Sequence, residues 1–287
     1  MKTYGYAGRI LRADLSVRRA PTVSTLDYSG KYVGGRGIAA RVYWDEVPPE
    51  AGAFDAANEL IFITGPLCGV PAIGGSRWEV CGKGPMTPPH FSYGNLGGRW
   101  GAALKFAGYD GIVVQGQSET PAYLFIHDDK VEFRDASALW GKGAIEAREA
   151  LKSDLGGSVR VVTIGPAAEN MAVMATLLAD NDASGSGGLG AVMGSKKLKA
   201  IVVKEGSRGV EIAQPGKLRE LTAHYRGLRR CFPTDGWEYL SRWSRNPTME
   251  PRLMPGPEMK KEPCYGCLGR CARKVYVSSD GKKGKFI

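Results

Sequence analysis

Apolar residues over the first two hundred positions come in short, β-branched runs rather than in long helical stripes. Tyr6 to Leu15, Glu59 to Thr64, Arg77 to Gly82, Gly111 to Gln115, Ala122 to His127, Lys130 to Arg134, Val159 to Ile164 and Lys199 to Lys204 each have the length and composition of a strand. Two of these runs meet across the acidic turn Asp128-Asp129 and predict a hairpin. Helical spacing is found at Lys31 to Tyr43, entered through Gly34-Gly35-Arg36-Gly37, and at Ala144 to Leu151. A turn begun by Asn95-Leu96-Gly97-Gly98 leads to a further helix near Trp100 to Ala107, and Ala172 to Leu178 is apolar enough to be buried. This mixture predicts an α+β fold rather than a doubly wound nucleotide fold. After Gly206 the pattern changes. Leu218 to Arg230 and Trp237 to Arg245 read as helices, and the proline-rich stretch Pro247 to Pro263 reads as a loop. We therefore expect an α+β domain over 1-208 and the opening of a helical domain over 209-287.

Composition narrows the class. At 287 residues and 43% hydrophobic content, the chain is long enough to bury a real core. It contains no apolar run of membrane-spanning length, and Met1 to Arg12 lacks the layout of a signal peptide. The expectation is a cytoplasmic protein without a membrane segment, its six cysteines reduced or metal-bound rather than in disulfides. The formal charge of +10 is uneven, because Glu258 to Ile287 holds eight Lys or Arg against three Asp or Glu. A basic rim there suits an acidic electron carrier, a phosphate backbone or an acidic neighbour. With no RNA-binding aromatic signature and no helix-turn-helix, no nucleic-acid partner is expected.

That basic stretch surrounds Cys264, Cys267 and Cys271, spaced C-x2-C-x3-C. Thiolates at this spacing lie on one side of a helical or turn segment and offer three soft ligands to an iron–sulfur cube. The fourth ligand must come from elsewhere. Zinc is the alternative, and Cys231 is the upstream residue that would complete a set of four. Cys68 and Cys81 sit in apolar or glycine-rich surroundings and read as inert buried thiols. Three glycine turns are candidate phosphate cradles, since main-chain N–H groups without a nearby Cβ approach anions closely. They are Gly74-Gly75-Ser76-Arg77, Asn95-Leu96-Gly97-Gly98, and the run from Ala183 through Ser184-Gly185-Ser186 to Gly190. The third lacks a Walker Gly-Lys-Ser/Thr and is not expected to follow a strand and open a helix in the Rossmann manner. His90, His127 and His224 read as surface or satisfied histidines, and Trp78, Trp100 and Trp140 as packing residues.

The order of separate blocks resembles a known family. Tyr4-Gly5-Tyr6-Ala7-Gly8-Arg9, Tyr32 to Gly37, Thr64-Gly65-Pro66-Leu67-Cys68-Gly69, Leu104 to Asp110, Arg134-Asp135-Ala136-Ser137, Ile164-Gly165-Pro166-Ala167 and Gly188 to Lys196, followed by the cysteine triad, resemble the amino-terminal part of the tungsten-containing aldehyde ferredoxin oxidoreductases. The resemblance implies a base of two mixed β-sheets with helices beneath a tungsten bis-pyranopterin cofactor, gripping its phosphates and a bridging Mg2+. By position, Arg77, Asn95 and Gly97 form the first cofactor-binding group; Asp182, Ala183, Gly185 and Ser186 form the second. Asn95 and Ala183 match magnesium contacts. Cys264, Cys267 and Cys271 match three of the four [4Fe-4S] ligands. Where the family carries arginines flanking the second group, this chain has Asp182 and Ser186, which implies a different charge balance toward a phosphate. The implied reaction is aldehyde oxidation to a carboxylic acid, with electrons passing to ferredoxin or another iron–sulfur electron-transfer subunit. A related branch reduces aromatic acyl-CoA thioesters. Members of the family are about twice as long, so a complementary C-terminal chain is an expected partner, and the chain alone is expected to be inactive. Outside the resemblance, a non-catalytic scaffold subunit and a zinc-bearing nucleic-acid binder are the alternatives.

Overall fold

The computed structural model describes residues 4–86, 90–127, 129–180, 183–228, 258–261, 264–267, 272–277 and 283–286. Strands β1 (Arg9–Asp14), β2 (Thr22–Ser24), β3 (Leu60–Thr64), β4 (Trp78–Gly84), β5 (His90–Leu96) and β6 (Gly111–Gln115) form a mixed sheet in the order β2-β1-β6-β3-β4-β5. Within it β1 runs parallel to β6, and the other pairs are antiparallel. A second mixed sheet, ordered β11-β10-β9-β12-β7-β8, is built from β7 (Ala122–His127), β8 (Lys130–Asp135), β9 (Val159–Thr163), β10 (Leu177–Leu178), β11 (Ser184–Gly185) and β12 (Leu198–Lys204). Here β12 and β7 are the parallel pair, and β7–β8 is the expected hairpin. The helices are α1 (Leu26–Tyr32), α2 (Arg36–Glu46), α3 (Trp100–Phe106), α4 (Ala144–Leu155), α5 (Pro166–Glu169), α6 (Leu189–Ser195) and α7 (Pro215–Leu228).

Strand alternation decides the layers. Phe62, Trp78, Val80, Leu96, Ile112 and Val114 leave one face of the first sheet and share a core with Leu124, Ile126, Val162, Ile201 and Val203 of the second. Helices α3 and α6 contribute to this core and are buried along their whole length, the one charged residue between them, Lys105 of α3, being paired with Asp110. On the outer face of the first sheet, Ile10, Ile61, Ile63, Cys81 and Val113 pack with Ile38, Ala39 and Val42 of α2. On the back of the second, Tyr123, Phe125, Val161 and Val202 pack with Leu151 of α4. The aromatic centre is Trp78 against Trp100, ring centroids 4.5 Å apart, with Phe62 at 5.9 Å from Trp100. Both tryptophans are thus packing residues; Trp140 is half-buried.

Several segments differ from the pattern in the sequence. Lys31 and Tyr32 end the separate helix α1, which buries no side chain and so leaves no apolar stripe to detect. Asn95 and Leu96 close strand β5, whose exposed and buried residues alternate at the sheet edge, so the turn starts only at Gly97. Ala172, Val173 and Met174 are exposed rather than buried, because they connect α5 to β10 along the surface where no further layer covers them. The stretch before the cysteines includes β13 (Glu258–Lys261), which pairs with β14 (Ala272–Val277), itself paired with β15 (Lys283–Phe286). The helix expected at Trp237 to Arg245 lies outside the described residues. Between β12 and α7 the chain stays close to the first sheet, with Gly5 N–H donating to the Glu211 carbonyl at 2.9 Å and Arg208 paired with Asp129.

Candidate functional site

The edge formed by β4 and β5 sets Glu79 opposite Asn95 and Cys81 opposite Tyr93. The Asn95 amide Nδ2 donates to Glu79 Oε1 at 3.1 Å, which turns the amide oxygen away from the carboxylate. Arg36, the first residue of α2, places Nε 3.2 Å from Glu79 Oε2 and its guanidinium 4.0 Å above the Tyr93 ring. Burial raises the Glu79 carboxyl above its ordinary value, and Arg36 and Asn95 oppose that shift. One half-screened carboxylate therefore orients both a cation and an amide at the edge of the sheet. Asn95, Tyr93 and Arg77 are themselves exposed.

The turn after β5 is held from two sides. The buried Trp78 indole donates to the Gly97 carbonyl at 3.0 Å, and the Tyr265 N–H donates to the Gly98 carbonyl at 2.9 Å. A Cβ at Gly97 would lie 3.1 Å from Cys264 Sγ and 3.7 Å from Arg77 Nη1. Arg77, Gly97 and Cys264, distant in sequence, thus share one spot. The cysteines sit on a turn in which Cys267 N–H donates to the Cys264 carbonyl at 3.1 Å and Gly266 takes a positive φ of 63°. The first glycine turn grips it, Gly74 N–H donating to the Gly266 carbonyl at 3.0 Å. Cys264 and Cys267 are half-buried. Cys271 and Cys231 lie outside the described residues. Cys68 and Cys81 are buried, and burial pushes the Cys68 thiol up to about 12 and the Cys81 thiol higher still, so neither is a ready thiolate.

The second cofactor-binding group packs against β5 at Gly94, one residue before Asn95. A Cβ at Gly94 would fall 2.9 Å from both Gly185 Cα and Ser186 N, so β11 crosses β5 at bare backbone. The approach to this loop is fixed by Asp180, almost fully buried, which accepts from Val161 N–H at 3.0 Å and pairs with Lys152 at 2.7 Å. The Ala183 carbonyl accepts the Ala179 N–H at 2.7 Å, which leaves one lone pair for another partner. Ser186 is exposed, and Asp182 lies outside the described residues. In line with the sequence expectation, this loop does not follow a strand and open a helix in the Rossmann manner. Gly188, left-handed at φ 71°, precedes α6, although β11 is two residues long and antiparallel to β10, so no Rossmann unit results.

Residues 10–205 match the family model described as the aldehyde ferredoxin oxidoreductase N-terminal domain. The chain belongs to the aldehyde ferredoxin oxidoreductase family. It is 43% identical over 308 residues to a tungsten-containing aldehyde ferredoxin oxidoreductase of Pyrococcus horikoshii, covering 97% of this chain and 50% of that protein. A protein of the same name from Thermococcus kodakarensis is 46% identical over 220 residues, covering 75% and 36%. Among solved structures, the active site complex BamBC of benzoyl coenzyme A reductase with 1,5 dienoyl-CoA is similar, with a TM-score of 0.85 and 32% identity over 99% of this chain and 49% of that one. The chain spans about half the length of the relatives it matches.

Within this family member, the structure brings Arg77, Gly97 and Cys264 together and sets Gly185 and Ser186 beside the strand that carries Asn95. It also adds residues that the sequence did not single out for the site. Glu79 and Tyr93 read only as strand positions, Arg36 as part of a glycine-opened helix, and Tyr265 as a spacer between cysteines. Each joins the candidate site through a contact between elements, and such contacts leave no local signal. The one cue was alternation along β5, which puts Tyr93 and Asn95 on the same face. Among the histidines, His127 pairs with Glu132 in the hairpin, and His90 and His224 lie outside the cradle described here. No helix among the described residues is long and apolar enough to cross a membrane.

Proposed function

We infer that this chain supplies the cofactor-cradling half of a tungsten-pterin oxidoreductase that oxidises aldehydes to carboxylic acids. One observation carries this proposal: Arg77, Gly97 and Cys264, from three separate stretches of the chain, share one spot at a glycine turn, while Gly185 meets β5 at bare backbone three residues before Gly97. A cradle of that kind suits a large anionic ligand approached by main-chain N–H groups. Arg77 and Arg36 are the cations for its phosphates, and the Asn95 amide oxygen, aimed by Glu79, suits a hard cation such as Mg2+. Ala183, Gly185 and Ser186 form the second wall of the cradle, and Asp182 changes its charge. Cys264 and Cys267, with Cys271, are the ligands proposed for a [4Fe-4S] cluster. The glycine turns and arginines suit the anionic cofactor, and Cys264 and Cys267, half-buried on one turn, suit two of the cluster's ligand positions.

When bound, the tungsten-pterin group supplies two-electron redox chemistry and the cluster supplies one-electron relay. The overall balance is an aldehyde plus water giving a carboxylic acid, two protons and two electrons, the electrons leaving to ferredoxin or a related iron–sulfur subunit. The protein's own part is positioning. Backbone at Gly97 and Gly185 permits close approach, and Trp78 and Asp180 keep the two loops from shifting. We place the remaining pterin contacts, the fourth cluster ligand, the substrate cavity and the acid–base groups on the complementary half, with 1-208 as the cradle domain and 209-287 opening the next. Thiolate ligands suit a reducing cytoplasm. Reduction of an aromatic acyl-CoA thioester is the second proposal, supported by the likeness to the benzoyl coenzyme A reductase complex.

The test is elemental analysis of anaerobically purified protein, with any copurifying chain identified. Tungsten with about four irons per site supports the proposal. Zinc alone, or no metal in the presence of the complementary half, overturns it and leaves a metal-free scaffold or a zinc protein.

A further inference from the structure

We propose that Tyr265 is the residue that positions the cysteine turn on the cradle, seating Cys264 over Gly97. The inference rests on Cys264 and Cys267 being cluster ligands as far as the cluster is concerned, but the docking itself stands on contacts within this chain. Tyr265 is tied to the cradle through both its main chain and its ring. Its main-chain N–H donates to the Gly98 carbonyl at 2.9 Å, which ties the turn to the loop after β5. Its ring meets Phe106 of α3 edge-on, centroids 5.4 Å apart, and lies 5.7 Å from the Arg99 guanidinium. Arg99 is in turn held toward Glu205, at 3.8 Å, just past the end of β12. Phe106 is a buried residue of α3 and Arg99 is the N-cap residue of the same helix, so the ring rests on an element of the core and not only on its own turn.

The consequence falls on the adjacent residue. Cys264 Sγ lies 3.1 Å from the point where a Cβ at Gly97 would stand, and a bare glycine is what makes room for the thiol there. Gly266 closes the other end of the turn. Its carbonyl accepts from Gly74 at 3.0 Å, and a Cβ at Gly266 would meet the Val70 carbonyl at 2.8 Å. Backbone bonds at Gly74 and Gly98 alone would hold the turn at two points and leave it free to tilt about the line between them. The Tyr265 ring supplies the third point. A cluster seated here would then be fixed relative to the loop that carries Gly97, and hence to the cofactor held by the same loop, at a distance set by tyrosine.

The experiment uses the full chain and three variants: Tyr265→Ala, Tyr265→Phe and Arg99→Met. In iron-free protein, the rate of Cys264 alkylation by iodoacetamide is followed by peptide mass spectrometry. Tyr265→Ala is expected to raise it about tenfold, because an edge-on aromatic pair and a cation–π contact are lost together. Arg99→Met, which removes only the second, is expected to raise it about threefold, and Tyr265→Phe is expected to match the parent. Cys68 and Cys81 should stay unreactive in all of them; if they react in Tyr265→Ala, that variant has unfolded and Arg99→Met decides. After anaerobic reconstitution with iron and sulfide, the reduced cluster's electron paramagnetic resonance signal should broaden in Tyr265→Ala and be restored by phenylalanine, which a loss of global stability would not produce. Equal alkylation rates in the parent and in the deciding variant overturn the proposal. A parent chain that takes up no iron in the presence of the complementary half overturns instead the assignment of the cysteines to a cluster, while the alkylation rates still decide the docking.

Discussion

Gly94 and Glu59 show how single residues set terms for the whole site. At Gly94 a methyl group would stand 2.9 Å from backbone on the facing strand, which cannot rotate away. Gly94→Ala is therefore expected to cost about 1–3 kcal/mol by forcing β11 off β5, and to lower retained cofactor metal more than the small volume change suggests. Urea unfolding and metal analysis on the same preparation check both. Glu59 is a different case, a buried carboxyl whose Oε1 lies 3.3 Å from Arg12 Nη2. Burial, then the nearby Glu46, pushes it up from an ordinary 4.5 to about 8. In the unfolded chain it ionises near 4.5, so the folded state is penalised progressively as pH rises from there to about 8, and fully above it. Glu59→Gln should leave stability almost unchanged at pH 4 and raise it at pH 9, by at most about 5 kcal/mol. Equal effects at the two pH values would contradict the assigned cause.

At the scale of elements, the segment before β1, the start of α1 and the end of α3 are tied together by one carboxylate. Asp110 accepts from the Ala7 and Gly8 N–H groups at 2.9 and 2.7 Å and from Thr25 Oγ1 at 2.7 Å, and pairs with the buried Lys105 of α3 at 2.9 Å. Lys105 also donates to the Gly5 carbonyl. Removing one partner leaves the other charge buried and uncompensated, so Asp110→Ala is expected to cost about 3–5 kcal/mol. Lys105→Met is expected to cost less, because Asp110 keeps three hydrogen-bond donors. Denaturant midpoints of the two variants give the order; a larger loss for Lys105→Met would show that the lysine, not the aspartate, organises this corner. Since α3 also carries Phe106 under the Tyr265 ring, either change should be felt at the cysteine turn.

For the molecule as a whole, two sheets and the helices between them form a rigid body whose exposed edge carries the cradle. The chain spans about half the length of its relatives, and the proposed function sets a complementary half across the cofactor from this body. Ligands that bind only the folded state stabilise it by mass action. Coexpression with the complementary half is therefore expected to raise the melting temperature of this chain together with its tungsten and iron content. A rise in stability without metal would favour a scaffold subunit.

The sequence by itself determined most of the strands, the helices α2 and α4 and the two-sheet class, because alternation and apolar runs are local consequences of which faces must be buried. The order of its glycine blocks and cysteines carried the family as well. It could not reveal α1, which buries no side chain, or the exposure of Val173 and Met174, because apolar character alone does not say whether another layer exists to cover it. Arg36, Glu79 and Tyr265 were likewise not marked as site residues, and Tyr93 was marked only by alternation along β5. Only the tertiary structure put Gly94 against Gly185 and Cys264 over Gly97, because such approaches depend on how sheet ends, turns and α3 pack, and packing acts between residues far apart in the chain.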